Sequence, residues 1–337
     1  TTNKLTTMKK LFIAILAVTG LVACSQDQLV EAPKSVAIAF DNAFVNNSTR
    51  ATDITKASLN DFSVYGSVEK EVGSEIQQGL IFSNQRVYKS DGAFIYSPAQ
   101  YWIADAQYDF VAIAPYTDAE WTYATTDAKN GTLTLNNGEN GAQGEQDLLF
   151  AYTKPAKTAA TLTQSPGPVS FTFSHILSKV LFIFNNKFTD GNISLKVYDV
   201  KIKNTAAKGS VAVDGKNVGA WEGTNNYIRA FGPATADTVA KIENGKNLTT
   251  EYFYLIPVLR TYEIEFKVDI YQAGVKLDTY EHSINTPIDL EKGKSYSLNA
   301  DLTPETVNPD SHLFPIEFQV IDITGWDSAT QNIVPNN

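Results

Sequence analysis

Cysteine is nearly absent from this sequence of 337 residues, since Cys24 is the only one. A single cysteine excludes an intrachain disulfide, so burial of apolar surface and hydrogen bonds must hold the fold together. Charged residues are also few, at 19%, while hydrophobic residues reach 43%, and this balance excludes an intrinsically disordered chain. The length favours two domains over one.

Familiar catalytic and metal-binding motifs are missing as well. His175, His282 and His312 are scattered and lack the spacing of metal ligands. There is no Gly-x-Ser-x-Gly, no phosphate-binding glycine-rich loop and no His-Glu-x-x-His. Residues 136–140 could bind calcium, but they lack EF-hand spacing and suit a plain loop equally well. We therefore predict no catalytic residue, no metal and no cofactor; a hydrolase site formed only in the folded chain is a third and weaker alternative.

Basic residues are outnumbered by acidic ones. The formal net charge is −10, and the first 23 residues carry three lysines and no acid. Without them, 24 basic residues face 37 acidic ones, a net charge of −13. Such a surface repels phosphate backbones, so the sequence predicts no nucleic-acid partner.

The N-terminal residues have the pattern of an export signal. A basic start at 8–10 precedes a short apolar stretch at 11–18, and residues 21–24 read Leu-Val-Ala-Cys. The apolar stretch is too short to span a membrane stably. Leu-Val-Ala-Cys resembles the lipobox of bacterial lipoproteins, whose thiol is acylated before the signal peptide is cleaved, so we predict lipidation of Cys24 followed by removal of 1–23. An ordinary signal peptide with an accidental cysteine is the alternative.

Short segments that alternate apolar and polar residues dominate the rest of the chain. Val36, Ile38 and Phe40 show the period of two that marks a half-buried strand. Further strands are predicted at 62–66, 93–96, 108–113, 132–135, 147–151, 169–173, 180–184, 194–203, 210–213, 251–256, 262–271, 277–284 and 295–302. With no convincing amphipathic helix and no repeat of fixed period, this pattern predicts an all-β chain with two β-sandwiches.

The C-terminal segment repeats the rhythm of the first strand. Its alternating apolar residues are Phe314, Ile316, Phe318 and Val320. Such a segment could fill a gap in another sheet, supplying ladder hydrogen bonds and alternate side chains. Pro304, Pro309 and Asp310 just upstream suggest a linker that could swing outward. The simpler interpretation is that 313–324 is the last strand of its own domain.

Several fragments of the chain, taken in order, resemble the fimbrillins, the subunits of type V pili in Bacteroidia-type bacteria. They are the lipobox, 48–53 after the first strand, 146–151, 171–180 and a terminal segment with Gly325 and Trp326. Fimbrillins are lipoprotein precursors with two transthyretin-like β-sandwich domains. The resemblance therefore implies an all-β fold with two such domains in tandem.

The resemblance also implies a route of assembly. An arginine-specific protease would cut after Arg50 and leave Ala51 as the new N-terminus. The strand 36–45, with Val36, Ile38 and Phe40, would then leave a groove that accepts a strand from another subunit. Arg50 lies in a polar stretch, as a protease site should, although an ordinary solvated arginine would look the same.

These expectations fix the organisation and the role that we predict. The divisions are an upstream extension (1–7) and signal peptide (together 1–23), a lipidated propeptide (24–50), an N-terminal sandwich (51–165) and a C-terminal sandwich (166–337) that ends in the candidate donor strand (304–337). The product would be a non-enzymatic subunit, shaft or tip, first an outer-membrane lipoprotein and then part of a surface fimbria used in adhesion. Its partners would be other fimbrillin subunits, the protease, the membrane through acylated Cys24, and a host or bacterial surface ligand.

The alternative is a surface lipoprotein that binds carbohydrate without polymerising. Aromatic clusters at Tyr101-Trp102 and Trp121-Tyr123 could stack on sugars. Core packing is the more frequent use of such clusters, so sugar binding is the less favoured of the two uses.

Overall fold

The computed structural model describes residues 36–45, 54, 57–117, 120–136, 146–308, 316–321 and 327–328. The strands are β1 (Phe40–Val45), β2 (Asp61–Val72), β3 (Glu75–Ser90), β4 (Ala93–Ile95), β5 (Gln107–Ala114), β6 (Trp121–Thr125), β7 (Asn130–Asn136), β8 (Leu149–Thr153), β9 (Val169–His175), β10 (Ser178–Asn186), β11 (Ile193–Asp214), β12 (Asn217–Val218), β13 (Glu222–Ala230), β14 (Asn247–Thr249), β15 (Phe253–Leu255), β16 (Leu259–Gln272), β17 (Val275–Asp289), β18 (Lys294–Leu302), β19 (Phe318–Ile321) and β20 (Asp327–Ser328). A 3-10 turn spans Ala236–Thr238, and one helical turn, α1, spans Pro304–Val307.

The first sheet closes on itself. Its strands follow the order β1-β4-β3-β2-β5-β8-β9, and β1 returns to pair with β9. Neighbours are antiparallel except at the closure, where β1 runs parallel to β9. Closed sheets have no exposed edge, so the closing strand satisfies the backbone groups of both of its neighbours.

Two further sheets complete the fold. One has the order β14-β10-β18-β19, with β15 on β10 and β20 on β18. The other has the order β17-β16-β11-β7-β6, with β12 and β13 on β11. β11 pairs with β16 in one half of its length and with β7 in the other, so this sheet joins strands from the N-terminal half of the chain to strands from the C-terminal half.

Three apolar cores lie between these sheets. The first lies inside the closed sheet, and the second lies between the β10 sheet and β16. The third combines residues from both halves of the chain, among them Trp121, Leu148, Ile176 and Trp221. The prediction of an all-β fold is confirmed, whereas the transthyretin-like pattern and the boundary near residue 165 stay predictions.

Most predicted strands are present, but one pair was wrong. Segments 194–203 and 210–213 are parts of the single strand β11. Asp199 and Asn204 adopt positive φ values of 53° and 62°, and the register with β16 and β13 shifts close to them. Bulges of this kind interrupt the alternation of side chains without ending the strand, and they hid its continuity from pattern analysis.

Glycine at position 66 permits the tight packing inside the closed sheet. A Cβ there would lie 2.7 Å from Phe82 Cδ2 and 2.9 Å from Phe110 Cδ1. At Gly79, on the facing strand β3, a Cβ would meet nothing within 4 Å.

We expect Gly66→Ala to lower the free energy of unfolding by about 1–3 kcal/mol, because buried rings must shift to admit the methyl group. The matched control, Gly79→Ala, should change it by no more than about 0.5 kcal/mol. Urea unfolding of the two variants measures both effects, and equal losses would contradict this account of the packing.

Candidate functional site

The segment 36–45 is bonded on both of its sides. The amide of Ile38 donates to the Gln100 carbonyl at 2.8 Å, and the amide of Trp102 donates to the Val36 carbonyl at 2.9 Å. On the other side, the amide of Val169 donates to the Ala39 carbonyl at 2.7 Å. Removal of this segment would therefore leave two neighbouring chain segments with unpaired backbone groups.

Phe40 is the central side chain of this segment. It is 3% exposed, and its ring lies 5.4–6.5 Å, centroid to centroid, from five other rings. We call these rings the Phe40 cage; they belong to Phe62, Phe82, Tyr96, Phe110 and Phe171. They come from β2, β3, the residue following β4, β5 and β9, so one side chain touches rings from nearly every part of the closed sheet.

The predicted first-strand residues thus form a continuous inner face. Ile38 is 2% exposed, and Val36 is partly buried against the same core. The space that these residues occupy between β4 and β9 is called the β1 groove below. Its floor is apolar and aromatic and its two sides are backbone edges, the geometry that accepts an extended peptide.

The C-terminal segment is paired inside its own sheet. β19 lies antiparallel to β18, with Phe318 opposite Ala300 and Val320 opposite Leu298. Phe318 is 1% exposed and its ring lies 5.5–6.1 Å from those of Phe182, Phe184 and Phe266. Ile316 is 3% exposed. The structure thus places this segment as the simpler interpretation expects, and the donor role stays a prediction.

The chain before this segment is partly a folded turn. Thr303 caps α1, since its hydroxyl accepts from the amide of Thr306, and Val307 is fully buried. Pro304 therefore belongs to a packed turn, while the other two predicted linker residues, Pro309 and Asp310, lie outside the described residues. The predicted residues Cys24, Arg50, Ala51 and Phe314 lie outside the described residues.

Two of the fragments that suggested the fimbrillin resemblance meet in the structure. His175 Nδ1 lies 2.6 Å from Asp147 Oδ2, and both side chains are buried. Beside them, the amide of Ile176 donates to the Leu148 carbonyl at 3.1 Å. Trp221 Nε1 donates to the Ile176 carbonyl at 2.8 Å. These hydrogen bonds therefore tie the start of β8 to the end of β9 and both to the third core. The sequence analysis did not predict Asp147 as the partner of His175.

We expect Asp147→Ala or His175→Ala to lower the free energy of unfolding by about 3 kcal/mol, because each breaks a buried pair of polar side chains. The control is Asp61→Ala, which removes the partner of Arg86, a side chain that is 53% exposed. That change should cost under about 1 kcal/mol. Similar losses of stability at both sites would contradict a larger contribution from the buried pair than from the exposed one.

His282 lies on β17 and faces the second core. Its ring stacks on Phe266 with centroids 4.9 Å apart and an interplanar angle of 21°. Burial lowers the pKa of His282 from 6.5 to about 4. The folded protein therefore holds this imidazole neutral, and the ring serves packing.

A pH dependence follows from that depressed pKa. The unfolded chain binds a proton at His282 near pH 6.5 and the folded chain only near pH 4, so stability is complete above the first value and falls as pH drops between them. We expect His282→Phe to remove about 2 kcal/mol of this acid-induced loss. Chemical unfolding of both proteins at pH 7 and pH 4 measures the difference, and parallel pH profiles would contradict the assignment.

The described residues also bear on the other candidate chemistries. Within them, no group of three or more His, Cys, Asp or Glu is placed to hold a metal ion. In that same part of the chain, no helix is long and apolar enough to cross a membrane. Trp102, Trp121 and Tyr123 are buried in the cores, and of the four predicted sugar-stacking residues only Tyr101 is exposed, at 45%.

The fold and the β1 groove define a class of protein: an all-β chain whose first sheet is closed by its most N-terminal described strand. A family model described as fimbrillin-like matches residues 49–313. The chain therefore belongs to the fimbrillin-like family, and the resemblance predicted from the sequence is confirmed. A comparison with curated proteins gave no significant match.

Solved structures match this chain at low identity, and the first of them shows the same fold. A fimbrial protein from Bacteroides vulgatus is 17% identical with a TM-score of 0.59, and the match covers 85% of this chain and 98% of that one. A candidate cell adhesion protein from Bacteroides ovatus is 18% identical with a TM-score of 0.48, over 88% and 98% of the two chains. The fimbrial anchor protein Mfa2 from Porphyromonas gingivalis is 11% identical with a TM-score of 0.39, over 90% and 100%.

Proposed function

We propose that this protein is a shaft or tip subunit of a type V fimbria, assembled by protease-triggered strand exchange and used in surface adhesion. The observation that carries the proposal is the position of β1. It closes the first sheet between β4 and β9, and it precedes Arg50 in the chain. One cut after Arg50 would therefore separate the closing strand from the sheet that it closes.

The extent of the family match supports this division of the chain. The match begins at residue 49, beside the proposed cut, and ends at residue 313, before the proposed donor residues. The strand that would be released, β1 with Phe40, precedes the matched residues. The strand that would be donated to another subunit, β19 with Phe318, follows them. In this proposal the body is a two-sandwich unit and the flanks are its exchangeable strands.

Cleavage alone would not remove the strand, since its hydrogen bonds and the Phe40 ring still hold it. Cleavage would instead lower the effective concentration at which β1 rebinds to the groove. A tethered strand has an effective concentration on the order of millimolar, whereas a cut strand rebinds only at its free concentration. A strand presented by a neighbouring subunit could then replace it, and the fragment with acylated Cys24 would stay at the membrane.

Replacement is favoured by what an empty groove exposes. Loss of a buried phenylalanine side chain destabilises a core by about 3–5 kcal/mol, and Ile38 would add to that loss. The edges beside β1 would also stand open, and open edges recruit other strands. The trimmed subunit is therefore a strong acceptor for an apolar-alternating strand.

The remaining parts of the proposal follow the same route. Export as a lipoprotein brings the precursor to the outer membrane, and polymerisation moves the body into the fimbria at the cell surface. The partners are other fimbrial subunits and the protease, with a surface ligand at the adhesive end. No described site favours an enzymatic role, and burial of Trp102 and Trp121 removes the main support for the carbohydrate-binding alternative.

The test is treatment of the purified full-length chain with an arginine-specific protease. We expect a ladder of polymers on a denaturing gel run without heating, and Ala51 at the new N-terminus. Arg50→Ala should leave monomers. The control Arg86→Lys removes a different arginine, one held in β3 by Asp61, and should polymerise like the unaltered chain.

Two results would contradict the proposal. One is a chain that is cut after Arg50 yet stays monomeric. The other is polymer formed equally well by Arg50→Ala, because assembly would then not depend on release of β1.

A further inference from the structure

We propose that the Phe40 cage is the specificity-determining subsite of the β1 groove, and that in the assembled protein Phe318 of a second copy fills it. In this arrangement the incoming segment runs in the same direction as β1, with Ile316 in the place of Ile38. The inference rests on the proposed function and deepens it, since it names the anchoring residue, the register and the direction of the exchange.

The groove contains one subsite that differs from the others. The position of Phe40 is enclosed by five aromatic rings, whereas Val36 is only partly buried. The contacts are mostly edge-to-face, with interplanar angles of 64–88° for four of the rings, and Phe171 stacks at 19°. Aromatic rings attract each other in these geometries beyond their burial, so the subsite favours an aromatic side chain over an aliphatic one of similar volume.

The size of the subsite is also fixed. Gly66 leaves no room for a methyl group beside Phe82 and Phe110, and both of these rings touch Phe40. Tyr96 holds the opposite end, because its hydroxyl donates to the Ile38 carbonyl at 2.7 Å. The cage is therefore tied to the backbone of the strand that it receives, and a smaller side chain would leave a void.

The C-terminal segment has a matching apolar pattern, which is nearly the same in both chain directions. Phe314, Ile316 and Phe318 are spaced by two, as are Val36, Ile38 and Phe40. With Ile316 in the place of Ile38, either direction puts a phenylalanine into the cage. The same direction as β1 puts Phe318 there and Phe314 at the Val36 position; the reverse direction exchanges the two.

The polarity of the neighbouring strands decides between these directions. β1 runs antiparallel to β4 and parallel to β9. A segment that runs in the same direction can reproduce the hydrogen bonds that β1 makes, from the Ile38 amide to the Gln100 carbonyl and from the Val169 amide to the Ala39 carbonyl. The reverse direction would pair antiparallel with β9 and parallel with β4, which changes the spacing of these bonds. The edges of the groove therefore favour the direction that puts Phe318 in the cage.

The test uses synthetic peptides as chain terminators of the protease-treated full-length protein. A peptide of residues 311–323 and one of residues 33–45 should each shorten the polymer ladder, and the concentration that halves polymer formation measures binding. Peptides avoid the folding defect that Phe318→Ala would cause inside the subunit. We expect Phe318→Ala in the first peptide and Phe40→Ala in the second to raise that concentration by about 100-fold or more.

Two further peptides supply the controls. Phe314→Ala should raise the inhibitory concentration by about 10-fold or less, because the Val36 position is partly open. Gln319→Ala should leave it unchanged, since Gln319 is on the exposed face of β19.

Each other outcome overturns a different statement. A larger effect of Phe314→Ala than of Phe318→Ala would overturn the direction and the anchor. Equal potency of all the variants would overturn the aromatic subsite while leaving strand exchange intact. A 311–323 peptide that never inhibits, beside a 33–45 peptide that does, would overturn the proposed donor and with it the proposed function.

Discussion

Pairing of one short strand with two neighbours is the constraint on which the closed sheet depends. β1 satisfies the backbone of β9 on one side and that of β4 and residues 100–102 on the other. Its Phe40 also fills the space among rings from both sides of the sheet. Without β1, the polar edges and the apolar interior would be exposed together, and only another strand can satisfy both. The sheet is therefore stable with a strand between β4 and β9, and without one it would readily bind another strand.

The path of the chain connects the groove to the opposite end of the molecule. β9 lines the groove, ends at His175, and continues after two residues into β10. β10 pairs with β18, which in turn pairs with β19. In the proposed fibre, a pull on the strand in the groove would pass along this ladder to the strand given to the next subunit. The buried pair Asp147–His175 and the bond from Trp221 to Ile176 lie at the turn in this path. In the proposed fibre, these buried contacts would therefore lie on the path of the force.

Much of the fold could be predicted from the sequence, and the failures have physical causes. Period-two alternation found strands such as β9 and β16, whose one face is buried. It missed β3, because both faces of that strand are largely exposed. It also missed β13, where the charged Arg229 is buried and Ile228 is exposed, the reverse of the usual rule. At the candidate site, the inner residues Ile38 and Phe40 were predictable from their alternation. Their cage was not, because its rings come from five distant segments and no local pattern reports that convergence.

The account makes its most direct claim about which chain occupies the space between β4 and β9 after assembly. A cryo-electron microscopy structure of the protease-induced polymer would identify it. We predict that the density there belongs to a neighbouring subunit's C-terminal segment, with an aromatic side chain among Phe62, Phe82 and Phe171. Density for residues 36–45 in that space, with β19 still paired to β18 in every subunit, would contradict the account.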